Sequence, residues 1–402
     1  MGRIFTRGNV LYVLFLLLIL ILAAELGARW YLSNVLQKST ERKFQFDSYR
    51  LYGHVPGFQE KDEKGVRLSI NRQGFRRTSD LAIPKPAGTY RIFLMGASAA
   101  HGISSANPFP VGHVRDNETI DAHLEKLLGP RFPDRKVEVV NAAVTGYKVY
   151  QHTIYLLSEI LRLEPDMIVF MDGYNDHYAF GPSENEYTDN TYDFWGPRLR
   201  DPSLSGGLDY MALWASDFSG LARGFYAWRN NRDAYTRDLI NAKGLYDWSD
   251  DRIRQGYLSV RVKRYLGAIG NNLALLHEHG VRAVVSLQPG LAFRDTAMMA
   301  PVERDVLLRI VHDHVRKVLQ PLVLADLDSI TRQYRVPFID LNPAMSASGL
   351  SGQQLFLDYC HLTPIGSQAT AEALLPVIEQ AMRDTVPQEP QPTMPLNHGT
   401  DP

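Results

Sequence analysis

The stretch RIFLMGASAAHG, residues 91–102, joins an apolar run to a serine flanked by small residues. The apolar run predicts a strand that is covered on both faces of a sheet. Ser98 then follows at the carboxyl end of that strand, where open parallel sheets bind their ligands. Small residues beside a serine also suit a tight turn. The segment by itself therefore leaves open whether Ser98 is a turn residue or a nucleophile.

The pattern of an apolar run followed by a polar loop recurs along the chain. The predicted strands are residues 90–96, 137–144, 166–173, 281–290 and 336–342. Segments with helical periodicity separate them, and these are residues 119–129, 150–163, 266–280 and 365–382. Continuously apolar strands that alternate with helices predict an α/β fold with a parallel sheet covered on both faces.

The composition of the 402-residue chain is that of a globular protein, with 45% hydrophobic and 22% charged residues. The formal net charge of -1 gives no electrostatic reason to expect a nucleic-acid partner. Cys360 is the single cysteine, which excludes a disulfide within the chain and a thiolate metal cluster. One cysteine is compatible with any redox compartment.

Residues 9–24, NVLYVLFLLLILILAA, form an almost purely apolar run. The run is slightly shorter than the roughly 20 residues that span a bilayer, but the residues that follow it, through Ala28, are uncharged apart from Glu25. Two arginines precede it, which favours a cytoplasmic amino end. Residues 1–28 are predicted to be an uncleaved single-pass anchor, with a cleaved signal peptide as the alternative. Either way the bulk of the protein is predicted to lie outside the cytoplasm, which in a bacterium is the periplasm beside the inner membrane.

The rest of the chain is predicted to have three parts. Residues 29–89 comprise a helical juxtamembrane stalk, over 29–50, and a small module of short strands with repeated turn signals. Residues 90–384 form the main domain, in which about 179–259 interrupt the alternation of strands and helices. That interval is rich in aromatic residues, Asp and Asn, and it predicts a cap-like insertion. The Pro/Gln-rich tail, 385–402, is predicted to be disordered.

Two residues that follow later strands are candidates for chemistry. Gly146 lies just past the second predicted strand of the sheet, and Asn175 just past the third. Both residue types are common at such places, as a turn glycine and a helix-capping asparagine. Alternatively, the Gly146 N–H and the Asn175 amide would donate to one oxyanion. Asp176 is interpreted as shaping the loop or capping the following helix.

Asp358 and His361 lie three residues apart, immediately before the last predicted helix. At that spacing the carboxylate can accept a hydrogen bond from the imidazole and fix its tautomer. His361 would then take a proton from Ser98 and return it to the leaving alcohol. Thr363 and Pro364 also fit an ordinary helix start, so the pair is informative only in combination with the other candidates.

All these candidates occur in one order, and together they resemble the SGNH, or GDSL-type, hydrolases over residues 90–382. The first motif of that family appears as GASAAHG, with Ala97 where an aspartate is frequent. The second matches Gly146, the third is GYND at 173–176, and the last is DYCH at 358–361.

The resemblance implies a three-layer α/β/α sandwich whose five-stranded parallel sheet has flavodoxin-like order. It implies Ser98 as the nucleophile, His361 as the base and Asp358 as the group that orients His361. The Ser98 N–H, the Gly146 N–H and the Asn175 side chain would form the oxyanion hole. No metal and no other cofactor is implied.

Three further residues, Gln288, Asp176 and Trp195, are candidates for substrate contacts, whereas His101 is expected at the surface. The small module, with LYGHVPGF at 51–58 and INRQGFR at 70–76, looks similar to one in membrane-anchored SGNH proteins of bacterial exopolysaccharide systems.

An aromatic insertion studded with polar groups suits sugar rings, which pack an apolar face on aromatic side chains. The predicted function is that of an extracytoplasmic serine esterase that removes O-acetyl groups from a polysaccharide through an acyl-enzyme. The alternatives are an O-acetyltransferase acting on the same glycans, a lysophospholipase or thioesterase, and a non-catalytic glycan-binding scaffold.

Overall fold

The computed structural model describes most of the chain outside the predicted insertion. The described residues are 7–31, 44–62, 65–102, 114–177, 211, 215, 219–222, 224–225, 263–308 and 313–384. Trp195, most of the predicted insertion and the tail from 385 onward lie outside them, so the predictions for these segments remain predictions.

The strands, numbered along the chain, are β1 Phe44–Asp47, β2 Leu51–His54, β3 Gln59–Asp62, β4 Gly65–Ser69, β5 Thr89–Gly96, β6 Lys136–Asn141, β7 Met167–Asp172, β8 Arg282–Leu287 and β9 Phe338–Asp340. The helices used below are α1 Arg7–Trp30, α2 Ser98–His101, α3 Ile120–Leu128, α4 Val149–Tyr155, α5 Tyr174–His177, α6 Lys263–Glu278, α7 Pro301–Leu307, α8 Asp313–Gln333 and α9 Pro364–Arg383.

The five strands from β5 to β9 form one parallel sheet, in the order β6-β5-β7-β8-β9. Counted along the chain this order is 2-1-3-4-5, the doubly wound arrangement of flavodoxin. The predicted α/β fold with a five-stranded parallel sheet is confirmed. The chain reverses its direction of winding between β5 and β7, so the ligand-binding crevice is expected at their carboxyl ends.

Helices cover both faces of the sheet because successive strand residues point to opposite sides. Ile92 and Leu94 of β5 pack in one apolar core with residues of α3 and α9. Phe93 and Met95 pack in a second core with residues of α4, α6 and α8. All four side chains are fully buried. The strand is therefore apolar throughout, and the three-layer sandwich follows from that pattern.

Two antiparallel hairpins, β1–β2 and β3–β4, precede the sheet. β1 is a strand where the sequence analysis predicted a helical stalk over 29–50. The reason is a two-residue alternation in FQFD, which presents Phe44 to the rings of Tyr52 and His54 at 5.7 and 5.4 Å between centroids. Ring packing between the two strands decides the conformation of this segment.

Three of the predicted helices are observed close to their expected ends, as α3, α6 and α9. The predicted helix over 150–163 is divided, because α4 is followed by a π-helical turn over Leu156–Ile160 and a 3₁₀ turn over Leu161–Leu163. Neither α7 nor α8 was predicted from the sequence. The latter contains Pro321 in its interior, and an internal proline obscures a helical pattern.

α1 has 24 residues, and an 18-residue window within Gly8–Trp30 has a mean hydropathy of 2.7. By length and composition it is the one helix among the described residues that could cross a membrane. Its apolar side chains are exposed along most of its length. A signal sequence has the same features, so the predicted anchor stays a prediction.

Candidate active site

Ser98 begins α2, two residues after β5 ends at Gly96. The chain turns tightly there because Gly96 has no side chain. A Cβ at that position would lie 2.7 Å from both the Met171 carbonyl oxygen and the Ala100 Cβ. The turn leaves the Ser98 side chain 9% exposed at the carboxyl edge of the sheet, as predicted.

The side chains of Ser98, His361 and Asp358 form one hydrogen-bonded line. The Ser98 Oγ lies 2.6 Å from His361 Nε2. On the other side of the ring, His361 Nδ1 lies 2.7 and 2.8 Å from the two Asp358 carboxylate oxygens. Nδ1 therefore donates to the carboxylate, and Nε2 accepts the serine hydroxyl proton. Residues 263 positions apart in sequence are thus brought together as the sequence predicted.

Backbone groups fix the Asp358 carboxylate in place. The N–H groups of Cys360 and His361 donate to Asp358 Oδ1 at 3.0 and 2.9 Å. Directly after His361, the Thr363 side chain accepts from the Gly366 N–H at 3.0 Å and caps α9, which begins at Pro364. The predicted helix start is confirmed, and it lies three residues after His361.

Two of the three predicted oxyanion-hole donors, Gly146 and Asn175, lie at one turn beyond β6. Gly146 has φ +83°, in the left-handed region that favours glycine. The Asn175 amide donates to the Tyr147 carbonyl at 3.0 Å and so lies against the same turn. An asparagine amide carries two hydrogens, so this bond leaves a second donor for a ligand.

The small module that precedes the sheet supports this turn. The Tyr52 hydroxyl donates to the Thr145 carbonyl at 2.7 Å, and the Tyr147 hydroxyl donates back to the Tyr52 carbonyl. The two rings also pack edge to face, 5.1 Å apart. The module is therefore part of the scaffold of the site, which sequence reasoning did not predict.

His101 was predicted to lie at the surface, and that prediction is wrong because its side chain is fully buried. The module covers it. The His54 ring lies 4.7 Å from the His101 ring, and the Arg76 guanidinium donates to the His101 carbonyl. Arg76 also pairs with Asp116 at 3.1 Å. The covering residues come from a separate part of the chain, and nothing local in GASAAHG reveals them.

A second histidine–aspartate pair lies buried beneath the site. His152 Nδ1 lies 3.0 Å from Asp172 Oδ2, and His152 Nε2 lies 3.3 Å from the Gly96 carbonyl. Burial lowers the pKa of His152, but the charge and hydrogen bond of Asp172 outweigh it, and the net shift of the pKa is upward. A protonated ring donates to both acceptors, and it thereby ties the end of β7 to the turn that carries Ser98.

Two of the candidate substrate contacts are buried in this region. Asp176 accepts from the Val149 N–H at 3.1 Å and so contacts the start of α4, a helix that precedes it in the chain and that the sequence interpretation did not name. The Gln288 side chain is 5% exposed, and its backbone N–H donates to the Asp172 carbonyl at 2.9 Å. Both residues lie at the carboxyl edge of the sheet. Their contact with a substrate remains a prediction.

We expect the free energy of unfolding to depend on pH because of the Asp176 carboxyl. Burial, followed by the nearby charge of Asp172, raises the pKa of Asp176 to about 7. A raised pKa means that the folded state binds the proton more tightly than the unfolded state. The free energy of unfolding should therefore fall as pH rises from about 4 to about 7. Asp176→Asn, which keeps an oxygen for the Val149 N–H, should unfold with a shallower pH dependence.

The measurement is chemical denaturation at pH 5 and pH 8. Asp80→Asn is the control, because the Arg72 side chain lowers the pKa of Asp80 and moves its titration below this range. Equal pH slopes for the natural chain and Asp176→Asn would contradict the assignment.

Two tyrosines beside the triad were not named from the sequence. The Tyr174 and Tyr359 rings stack at 5.4 Å, and the Tyr359 ring meets the His361 ring edge to face at 5.9 Å. Each tyrosine is an immediate neighbour of a motif residue, in GYND and DYCH, and that adjacency was the available signal. The half-buried Tyr359 gives the site an aromatic wall next to the base.

A buried ion pair holds the loop that leads to Asp358. The Arg294 guanidinium donates to Glu303, and both side chains are fully buried. The other Glu303 oxygen accepts from the N–H groups of Leu355 and Phe356 at 2.8 and 3.0 Å. The pair, whose members are 9 residues apart, is thereby joined to a segment 52 residues further along the chain, behind the triad.

Within the part of the chain that the structure describes, one cluster has the residue types to ligate a metal. Asp358, Cys360 and His361 place potential ligand atoms within 4.8 Å of one another. The Asp358 oxygens and His361 Nδ1 already satisfy each other by hydrogen bonding. The arrangement therefore fits acid–base chemistry without any further group.

No protein-family model matches the chain, and no curated protein matches it in sequence. Among solved structures, an acetyl xylan esterase is 10% identical, with a TM-score of 0.39, and the match covers 72% of this chain and 99% of that one. An acetylxylan esterase from Geobacillus stearothermophilus is 13% identical, with a TM-score of 0.39 and coverage of 72% and 94%. An alpha/beta hydrolase enzyme from the metagenome of Lake Arreo, Spain, is 13% identical, with a TM-score of 0.40 and coverage of 73% and 97%.

Proposed function

We propose that this chain is a serine hydrolase of the SGNH type that cleaves carboxylic esters through an acyl-enzyme. One observation carries the proposal, namely the contact of 2.6 Å between Ser98 Oγ and His361 Nε2. The Asp358 carboxylate accepts a hydrogen bond from the other nitrogen, Nδ1, of the same imidazole. The nucleophile, the base and the orienting acid are thus hydrogen-bonded to one another in the spatial order that acyl transfer requires.

In the proposed reaction, Ser98 Oγ attacks the carbonyl carbon of the ester while its proton passes to His361 Nε2. Asp358 stabilises the imidazolium that forms. The oxyanion accepts hydrogen bonds from the Ser98 N–H, the Gly146 N–H and the Asn175 amide. His361 then protonates the departing alcohol, and the acyl-enzyme remains. A water molecule repeats the sequence, giving up a proton to His361 and releasing the acid with Ser98 restored.

The proposed substrate is an O-acetylated polysaccharide outside the cytoplasm, reached by a domain tethered through α1 to the bacterial inner membrane. A long apolar α1 supports the tether. The half-buried Tyr359 ring, which stacks on Tyr174, supports a sugar substrate, since sugar rings pack an apolar face on aromatic side chains. If a sugar hydroxyl displaces water at the acyl-enzyme, the same groups make an O-acetyltransferase. An assembled triad disfavours the non-catalytic scaffold.

The test compares acyl chain lengths with the full chain in detergent. We expect kcat/KM for p-nitrophenyl acetate to exceed that for the octanoate by more than about tenfold, because a close-fitting acyl pocket discriminates by about 1–3 kcal/mol. The same protein should also release acetate from an O-acetylated polysaccharide. A preference for octanoate would replace the proposal by a lysophospholipase or thioesterase. Transfer of acetyl to an added oligosaccharide would identify the acetyltransferase.

A further inference from the structure

Glu25 is an acidic residue inside the apolar helix α1. At 1.5 Å per residue it lies about 25 Å along the helix from Gly8, where the apolar span begins. In a bilayer whose hydrocarbon core is about 30 Å thick, that position falls near the outer boundary of the core. A carboxylate at such a depth needs hydrogen-bond partners within the protein.

Three of the four groups that donate to Glu25 come from the predicted insertion, almost 200 residues away in sequence. The Gly220 N–H donates to Glu25 Oε1 at 2.6 Å. The Ser219 hydroxyl and the Leu221 N–H donate to Glu25 Oε2 at 2.8 and 3.1 Å. Arg29, one turn further along α1, donates to Oε1 at 2.7 Å. Both carboxylate oxygens are thus satisfied by this contact.

Gly220 brings the two backbones close together. It is buried, and a Cβ there would lie 2.8 Å from the Arg29 Cγ and 3.2 Å from the Arg29 backbone nitrogen. Small residues allow this approach between helices in membranes. Gly224, four residues later, would meet nothing within 4 Å if it carried a Cβ, so the requirement is specific to Gly220.

In the described part of the insertion, polar groups of residues 219–221 donate to Glu25, whereas the large apolar side chains are exposed. Leu221 and Phe225 are 40% and 51% exposed, and Met211 is 63% exposed. Trp30, at the end of α1, is 62% exposed. Apolar surface on the insertion therefore lies next to the exposed apolar surface of the helix that it contacts.

We propose that residues 219–222 and 224–225 form a second membrane contact, in which Leu221 and Phe225 enter the lipid beside the outer end of α1. The occupant of this surface is the phospholipid bilayer, because the surface adjoins a helix of membrane-spanning length and lies level with Glu25. The inference rests on the proposed anchor and is independent of the proposed chemistry. It makes the described residues of the insertion that contact Glu25 a part of the membrane-facing side of the protein.

The test places a nitroxide label on the full chain in phospholipid nanodiscs. Leu221→Cys and Phe225→Cys carry the label, and the chain without an added cysteine gives the background from Cys360, which is 3% exposed. We expect both labels to collide more often with oxygen, which concentrates in the bilayer, than with a water-soluble nickel chelate. Tyr49→Cys, at a site 76% exposed in the β1–β2 turn, should show the reverse.

A label at Leu17, in the middle of α1, separates the possible failures. If Leu17→Cys reports lipid but Leu221→Cys and Phe225→Cys report water, the second contact is overturned and the anchor stands. If Leu17→Cys also reports water, both are overturned. Gly220→Leu should move the Phe225→Cys label toward water by displacing the segment from Arg29, whereas the matched Gly224→Leu should not. Equal effects of the two substitutions would also overturn the proposal.

Discussion

Replacing Ser98 with alanine is expected to lower kcat for p-nitrophenyl acetate by about 10⁴- to 10⁶-fold. The substitution removes the only atom that can form the acyl-enzyme in the proposed reaction, while Gly146, Asn175 and His361 stay in place. The remaining rate would come from binding and from the oxyanion donors. Steady-state kinetics of the full chain, with and without the substitution, measure the change.

The control must show that the loss is chemical rather than structural. Ser286 is a buried serine of β8 whose hydroxyl donates to the Phe170 carbonyl at 2.7 Å. Ser286→Ala should leave kcat within a few-fold of the natural chain, and both variants should unfold cooperatively. If Ser98→Ala keeps more than about a tenth of the natural rate, Ser98 is not the nucleophile and the proposed function fails.

The residues of the triad could be predicted because each sits beside a strong local pattern. Ser98 follows a continuously apolar strand, and Asp358 and His361 precede a capped helix. The carboxyl ends of parallel strands lie at one edge of the sheet. Residues that three separate local patterns identify are therefore expected to lie close together there. The order of the sheet followed from the resemblance of the motifs rather than from any single strand.

What could not be predicted depends on contacts between distant segments. His101 is buried by His54 and Arg76, which lie in a module that the sequence pattern treats as separate. In the sequence, Glu25 only interrupts an apolar run. The structure shows that the Gly220 N–H donates to it. Polar residues carry no periodic signal for such partners, because a buried charge and an exposed one look alike in sequence.

Breaking the buried pair of Arg294 and Glu303 should cost more stability than any surface substitution. We expect Glu303→Ala to lower the free energy of unfolding by about 3–5 kcal/mol, because it leaves the Arg294 guanidinium buried without its counter-ion. It also leaves the N–H groups of Leu355 and Phe356 without their acceptor. Equilibrium denaturation of the full chain, followed by far-ultraviolet circular dichroism, gives the value.

The matched control is Asp328→Ala, which breaks an ion pair with Arg332 whose side chains are 46% and 77% exposed. An exposed pair of this kind contributes about 0–1 kcal/mol. A loss from Glu303→Ala as small as that from Asp328→Ala would show that Arg294 needs no counter-ion. Because Leu355 and Phe356 lead directly to Asp358, Glu303→Ala should also reduce kcat under conditions where it remains folded. Glu303→Gln, which keeps an acceptor for both amides, should restore part of that rate even though the charge is absent.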